Sequence, residues 1–514
     1  MEISRWIAHW AQWAPAKDAI RFEGAHITYR ELEDRIAALA GFLSRSGTSR
    51  GARVAYLGPN CPELVETLFA CARLGAIFVP LNARMPPAEL QAFLGQCTPQ
   101  TFVGEETLLA AARASAPALA PEVVAFSAGA GIGERGAVGS TPVRADPGAD
   151  PAAPVLIAFT SGTTGTPRGA VMTHEALTAN ALDMVLALQI SASDQILTAT
   201  PMFHFSGLNL LTTPALSVGA TVTVHRRFDS GSILDDIDHI PVTLLVSPPH
   251  MTWELASDRG WEQAGLTSLR CVVTGGTTVT ERSVRSWRDR GVPVVQGYGL
   301  TEAGNFSAVP IHDAPDKSLT AGKPTLRCQL RVVDTSGHDV TPGSRGEIVV
   351  RGPSVMRGYW QNPEATRQAI RDGWFHTGDL GLIDEEGFLH VVDRIKEIIV
   401  VGVSNVSPAD LEAVLAESPD IDAAAVVGRP DEKLGEVPVA FVVPAPGRRL
   451  SREQVLSLFE GRLAPYKHPH DVIFLDGLPR TSAGKPEKKA LRAMARGRQD
   501  HLPAPPGAQP SSAR

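Results

Sequence analysis

The segment Phe159-Thr160-Ser161-Gly162-Thr163-Thr164-Gly165-Thr166-Pro167-Arg168-Gly169 gathers hydroxyls, glycines and a cation into one short stretch. Glycines let backbone amides approach an anion closely, and Ser and Thr hydroxyls donate to phosphate oxygens, so the stretch suits phosphate binding. It is not a Walker A loop: Pro167 stands where GxxxxGK, counted from Gly162, requires glycine. Taken alone, it reads equally as a Thr- and Gly-rich surface turn. Further stretches gather aromatic, hydroxyl, acidic and basic groups: Gln296-Gly297-Tyr298-Gly299-Leu300-Thr301-Glu302, Trp374-Phe375-His376-Thr377-Gly378-Asp379, Asp393-Arg394-Ile395-Lys396-Glu397 and Pro479-Arg480-Thr481-Ser482-Ala483-Gly484-Lys485. Each key residue has a plain structural alternative. Tyr298 could be a core aromatic, Asp393 a surface ion-pair partner, and Lys485, beside Lys488, Lys489 and Arg492, part of a solvated face. Asp379 is expected at the end of a turn, with its carboxylate exposed.

These residues need a scaffold, and the chain alternates helix and strand patterns. Thr28 and Glu31 fit a capping box ahead of Leu32, Ile36, Leu39 and Leu43 at helical spacing. Strands are predicted at Arg53–Leu57, Ala76–Leu81, Val155–Phe159, Thr221–His225, Thr243–Val246, Cys271–Val273 and Val292–Val295. Asn60 and Pro62 open a helix towards Leu74. The phosphate-type loop is read as running from a strand towards a helix. The Ala-, Gly- and Pro-rich stretch from about 110 to 154 reads as a loose surface connection, and short strands follow from Gly346 to Val392. After Asp393 a compact pattern begins, with strands at Ile398–Val401, Ala423–Val427 and Ala440–Val443 and helices at Ser407–Ala416 and Ser451–Leu463. The expected organisation is α/β layers with a small β-rich subdomain over 1–393, a small mobile α+β domain over 394–495, and a disordered tail over 496–514.

Composition narrows the function. The 514 residues hold 48 Lys plus Arg against 55 Asp plus Glu, a net charge of −7, which argues against a nucleic-acid footprint. The five cysteines are scattered, so reduced, buried thiols are expected in place of a disulfide framework or zinc site. No basic-then-apolar leader opens the chain, and no apolar run approaches the ~18 residues of a membrane span. A cytoplasmic protein is expected.

The five motifs, in this order and at these separations, resemble the ANL superfamily of adenylate-forming enzymes, in particular its acyl-CoA synthetases, from about Ile27 to Leu491. The resemblance implies that a carboxylic acid attacks the α-phosphate of ATP to give acyl-AMP. It implies Mg²⁺ as cofactor and CoA as the acceptor of the acyl group. The alternative is an adenylating enzyme that passes acyl-AMP to a carrier protein or partner enzyme. By similarity Thr160, Ser161, Gly162, Thr163, Thr164, Gly165 and Arg168 hold the outer phosphates, with arginine standing where the family usually has lysine. Gly276, Thr277, Thr278 and Tyr298 border adenine. Thr301 meets the α-phosphate, Glu302 holds the metal, Asp379 and Arg394 take the ribose, and Lys485 bridges carboxylate and α-phosphate. Asp393 is the hinge about which the second domain turns between half-reactions. Gly402, Val403 and Ser404 stand where many CoA ligases read Gly-Gly-Glu, which predicts a thiol tunnel altered from the usual one. Phe203, His204, Gly299 and Leu300 line the acid pocket. His204 occupies the place where amino-acid-activating relatives carry Asp for the substrate ammonium, so a hydrophobic acid is expected.

Overall fold

The computed structural model describes residues 2–115, 122–126, 143, 150–160, 167–276, 279–402, 404–431, 433–481 and 484–497. Packing divides them into two units. One runs to Thr377 and includes Gly381–Val391; the other holds Gly378–Leu380 and the chain from Val392 on.

Within the first unit, the described residues form two large sheets. The strands of one lie in the order Lys323–Pro324, Gly304–Ala308, Val294–Leu300, Cys271–Gly275, Leu244–Val246, Gln195–Thr198, Thr221–Val224, Asp18–Phe22 and Ala25–Thr28. Its interior pairs are parallel, and antiparallel strands close both edges. The other places Ile77–Leu81 and Arg53–Leu57 at its centre, parallel to each other and to Thr101–Glu105. Ile77–Leu81 is buried at every residue, as expected of a parallel strand covered on both faces. A smaller sheet contains Gln329–Val333, Gly346–Arg351, Trp374–Ile383 and Ile370–Arg371. The second unit has its own sheet, in which Gly435–Pro444 pairs antiparallel with Ile421–Asp431 and parallel with Asp471–Phe474.

Local signals place many of these elements. Thr28 caps Tyr29–Arg45 with both capping-box hydrogen bonds, and the helix buries Leu32, Ile36, Leu39 and Leu43. At ~1.5–3 kcal/mol for each fully buried large aliphatic side chain, that face outweighs any exposed-face propensity. Cys61, Cys71, Cys97 and Cys271 are free and buried, and Cys328 is partly so. No helix among the described residues is long and apolar enough to cross a membrane.

Several expectations need correction. The phosphate-type loop does not lead into a helix: Arg168–Thr173 is a strand antiparallel to Pro154–Thr160, and the next helix starts at His174. β-branched and apolar residues filling a central sheet outweigh the helical impression. The stretch read as a loose connection carries the end of helix Glu106–Ser115 and the strand Glu122–Phe126, which is parallel to Thr101–Glu105; most of the remainder lies outside the described residues. The helix expected over Ser451–Leu463 has its capping box but spans only Arg452–Ser457. Beyond it Leu458, Phe459 and Glu460 donate to carbonyls three residues back, the tighter 3₁₀ pattern. The last helix, Lys488–Gly497, reaches two residues into the segment read as a tail, whose other residues lie outside the described ones.

Helix Pro62–Leu74 buries two acids one turn apart, Glu63 and Glu66. Burial, then the charge of Glu63, pushes the Glu66 carboxyl up to about 7 from 4.5, against the pull of Arg35, whose Nη1 is 3.4 Å from Oε1. Because the folded value is raised, stability is full below pH 4.5 and is lost as pH rises through 7. Glu66→Gln is therefore expected to stabilise the protein at pH 8, by at most about 3 kcal/mol, and to change little at pH 5. Urea melts at the two pH values check this; an equal gain at both would refute the ionisation argument.

Candidate active site

The site is built where the hairpin of Pro154–Thr160 and Arg168–Thr173 meets the turn after Val294–Leu300. Register pairs Thr160 with Arg168, so both stand at the mouth of the loop between the strands. Ser161, Gly162, Thr163, Thr164 and Gly165 lie outside the described residues, as do Thr277, Thr278 and Val403. The Thr160 hydroxyl is within 3.3 Å of the Arg168 carbonyl and 3.5 Å of Glu302 Oε1. Tyr359 donates its hydroxyl to the same Glu302 oxygen at 3.0 Å, and the Arg168 guanidinium sits over the Tyr359 ring, 5.5 Å from its centre. Burial and the Glu302 charge both raise the Tyr359 phenol, so it stays a donor at any working pH.

Tyr359 was not singled out from the sequence. It arrives through a two-residue strand, Gly358–Tyr359, added antiparallel to Arg168–Thr173, with Trp360 N donating to Gly169 O at 2.7 Å. A Gly-Tyr-Trp run is a weak signal of such an edge addition; only the strand pairing reveals that Tyr359 faces Glu302.

The turn carrying Thr301 and Glu302 is fixed from several sides. Ala303 N donates to Leu300 O, Met356 N to Glu302 O at 2.7 Å, and Ser354 Oγ to Ala303 O at 2.9 Å. Asn180, fully buried on helix His174–Ala187, accepts from Asn305 N at 2.9 Å and Asn305 Nδ2 at 3.0 Å. Its own Nδ2 donates to Asn209 O at 2.6 Å. One amide thus ties the Thr301–Glu302 turn to the helix Phe205–Asn209, which follows Phe203 and His204. Tyr298 lies in the strand, half-buried, edge-on to Phe306 at 4.8 Å. Gly299 and Leu300 pair with Asn305 and Gly304. Gly276 directly follows the strand Cys271–Gly275.

Phe203 and His204 have their ring centres 4.2 Å apart, and His204 is the N-cap residue of Phe205–Asn209. The bend before that helix is tight: a Cβ on Gly207 would lie 2.1 Å from Pro201 O, so no side chain fits there.

In the second unit Asp379 does not end a turn. It lies within Trp374–Ile383, is only 3% exposed, and pairs with Arg394 at 2.5 Å. The strand pattern of alternating burial sends this carboxylate inward, and the guanidinium keeps it partnered there. Asp393 Oδ2 accepts from Ser407 Oγ at 2.6 Å and from Ala409 N at 3.0 Å, capping the helix Pro408–Ala416 in place of Ser407, which makes no cap of its own. Gly402, directly after Ile399–Val401, has φ +61, in the left-handed region that favours glycine. Lys485 is exposed on the far limb of a short hairpin whose bridge joins Arg480 and Pro486. Lys488 departs from the solvated face expected of this basic cluster: its Nζ is 3.1 Å from both Glu397 and Glu412. Burial pulls its ammonium down, but Glu412, Glu397 and Asp393 together hold it above the ordinary lysine value.

Comparison with known proteins agrees with this layout. Residues 7–360 match the family model "AMP-binding enzyme" and residues 410–485 match "AMP-binding enzyme C-terminal domain". The chain is 46% identical over 503 residues to an indoleacetate–CoA ligase of Aromatoleum aromaticum, covering 96% of this chain and 98% of that one. It is 40% identical over 496 residues to a feruloyl-CoA synthase of an Amycolatopsis species, covering 95% and 98%. ATP-bound MatB from Rhodopseudomonas palustris superposes with a TM-score of 0.89 at 30% identity, covering 96% of this chain and 99% of that one. By motif order, by sequence over nearly its full length and by fold, the chain belongs to the AMP-binding family of adenylate-forming enzymes.

Proposed function

We propose that this enzyme, an AMP-forming acid–thiol ligase, activates a hydrophobic, ring-bearing carboxylic acid. A carboxylate oxygen attacks the α-phosphorus of ATP and the bond to pyrophosphate breaks. The CoA sulfur, having lost its proton, then attacks the acyl carbon and AMP leaves. The observation that carries the reading is the group Thr160, Arg168, Glu302 and Tyr359 at the mouth of the phosphate-type loop. It supplies a hydroxyl, a fixed cation and an oriented carboxylate where several anionic oxygens must be held.

The remaining roles follow the family pattern. Thr160 to Gly165 and Arg168 hold the outer phosphates, Gly276 to Thr278 and Tyr298 the base, Thr301 the α-phosphate, Asp379 and Arg394 the ribose. Lys485 supplies a cation to the forming bond. Asp393 is the pivot, and Gly402, Val403 and Ser404 border the thiol path. Among the described residues no three His, Cys, Asp or Glu side chains gather as a metal cage. A lone Glu302 still fits Mg²⁺, which keeps most of its waters and is held largely by substrate phosphates. When bound, the ion neutralises phosphate charge; Tyr359 and Thr160 keep the carboxylate aimed. For the acid, the aromatic pair Phe203 and His204, with Gly299 and Leu300, favours an apolar ring over an ammonium. The names of the two relatives, an indoleacetate and a feruloyl ligase, support the same class.

Incubation with ATP, Mg²⁺ and indoleacetate, ferulate or tryptophan, with and without CoA, tests the reading by mass spectrometry. Indoleacetate or ferulate is expected to give acyl-AMP without CoA and acyl-CoA with it, and tryptophan neither. Acyl-AMP that persists in the presence of CoA would overturn the acceptor. Lys485→Ala should slow adenylation by ~10²–10³-fold while ATP binding is retained, the scale for one aimed electrostatic donor; near-normal acyl-AMP formation would remove it from the mechanism. Tyr359→Phe keeps the ring under Arg168 and loses the hydroxyl to Glu302. Its half-saturating Mg²⁺ concentration should rise about tenfold, the equivalent of one hydrogen bond to a charged group. An unchanged Mg²⁺ titration would reduce Tyr359 to packing.

A further inference from the structure

The sequence casts Asn60 as a helix opener, but the helix starts at Pro62 with Cys61 as its N-cap residue, and no side chain caps it. Asn60 is 6% exposed, and its amide is turned elsewhere. Nδ2 donates to Thr200 O at 3.0 Å and to His225 O at 3.1 Å, while Oδ1 accepts from Met202 N at 2.8 Å. These partners follow two neighbouring parallel strands of one large sheet, Gln195–Thr198 and Thr221–Val224. Asn60 itself follows Arg53–Leu57 of the other. One side chain therefore joins the carboxyl ends of both sheets, the edge at which open α/β sheets bind ligands.

From this geometry we infer that Asn60 is a positioning residue for the acid pocket: its amide clamps the backbone of Thr200 and Met202 and so sets where Phe203 and His204 present their rings. The proposal rests on the reading that this segment faces the acid. The clamp is stiff at its base. Pro59 and Pro62 restrict the chain on either side of Asn60, and the buried Tyr56 hydroxyl lies 3.2 Å from Pro59 O and 2.9 Å from Cys61 Sγ. It is also matched to its target, since Met202 is fully buried and His204 N folds back onto Pro201 O at 3.2 Å. Without Asn60, the Thr200 carbonyl and the Met202 amide of the buried bend lose this partner, as does the His225 carbonyl after the neighbouring strand, and the bend has reason to move.

Asn60→Ala is expected to raise the KM for indoleacetate about tenfold or more, with the KM for ATP unchanged, a split that general loosening of the fold would not give. Hydrogen exchange reads the clamp without any acid: the Met202 amide should be protected in the wild type and exchange at least tenfold faster in the variant. Asn60→Ser, whose short hydroxyl reaches only part of the network, serves as a milder second variant if Asn60→Ala melts too low. Equal Met202 exchange in wild type and variant overturns the clamp. An unchanged acid KM in Asn60→Ala beside a raised one in His204→Ala overturns its link to the acid. An unchanged acid KM in His204→Ala, by contrast, overturns the assignment of the pocket.

Discussion

Parallel strands end in backbone groups that no ladder satisfies, and burying those ends is affordable only if something else bonds to them. In this protein that requirement shapes the site. Asn60 answers it for Thr200, Met202 and His225; Asn180 meets the like need of the helix end at Asn209 and of Asn305 in an antiparallel strand, and Met356 and Ser354 that of the turn at Glu302 and Ala303. The same groups that satisfy the sheet edges hold the segments on which the chemistry depends. Preorganisation of the site is thus a by-product of hydrogen-bond accounting in the core.

Charge is arranged around that frame in a second way. Glu302 is oriented by neutral hydroxyls, which leaves its charge available to a cation. Arg168 lies over the Tyr359 ring, and among the described residues no carboxylate pairs with it, which leaves its charge available to an anion. A planar guanidinium stacked on a ring is less free to wander than a lysine ammonium at the same place, and it presents a fork to phosphate oxygens in place of a point charge. In the second unit the opposite choice is made: Asp379 with Arg394, and Lys488 with Glu397 and Glu412, neutralise each other within the fold.

What the sequence makes legible follows from the range of the interactions. Thr28 and Glu31 are three residues apart, and their capping box could be named from spacing alone. Arg53–Leu57 and Ile399–Val401 emerged as strands because β-branched and apolar runs carry that information locally. The five motifs were legible because their side-chain chemistry is concentrated in short stretches. Asn60, Tyr359 and Lys488 were not, since each acquires its role from partners brought near only by the fold. Nothing beside Asn60 in the chain points to Met202, and nothing beside Tyr359 points to Glu302. Asp379 shows the intermediate case: its motif was visible, but its burial follows from its place in a strand whose alternate residues are buried. The helix falsely expected after the phosphate-type loop is the same failure, because a hairpin closing a sheet cannot be told from a strand–helix link by glycines and hydroxyls.

The cysteines have a consequence for an enzyme of this kind. Burial raises the Cys61 and Cys71 thiols and pushes those of Cys97, Cys271 and Cys328 up to about 12, so at neutral pH essentially none is a thiolate. Only a thiolate attacks a disulfide. A catalyst that handles CoA also meets its oxidised forms, yet the folded chain offers them no competent sulfur. The protein can work in a pool of reactive thiols while its own remain chemically silent, and they become reactive only when the fold opens.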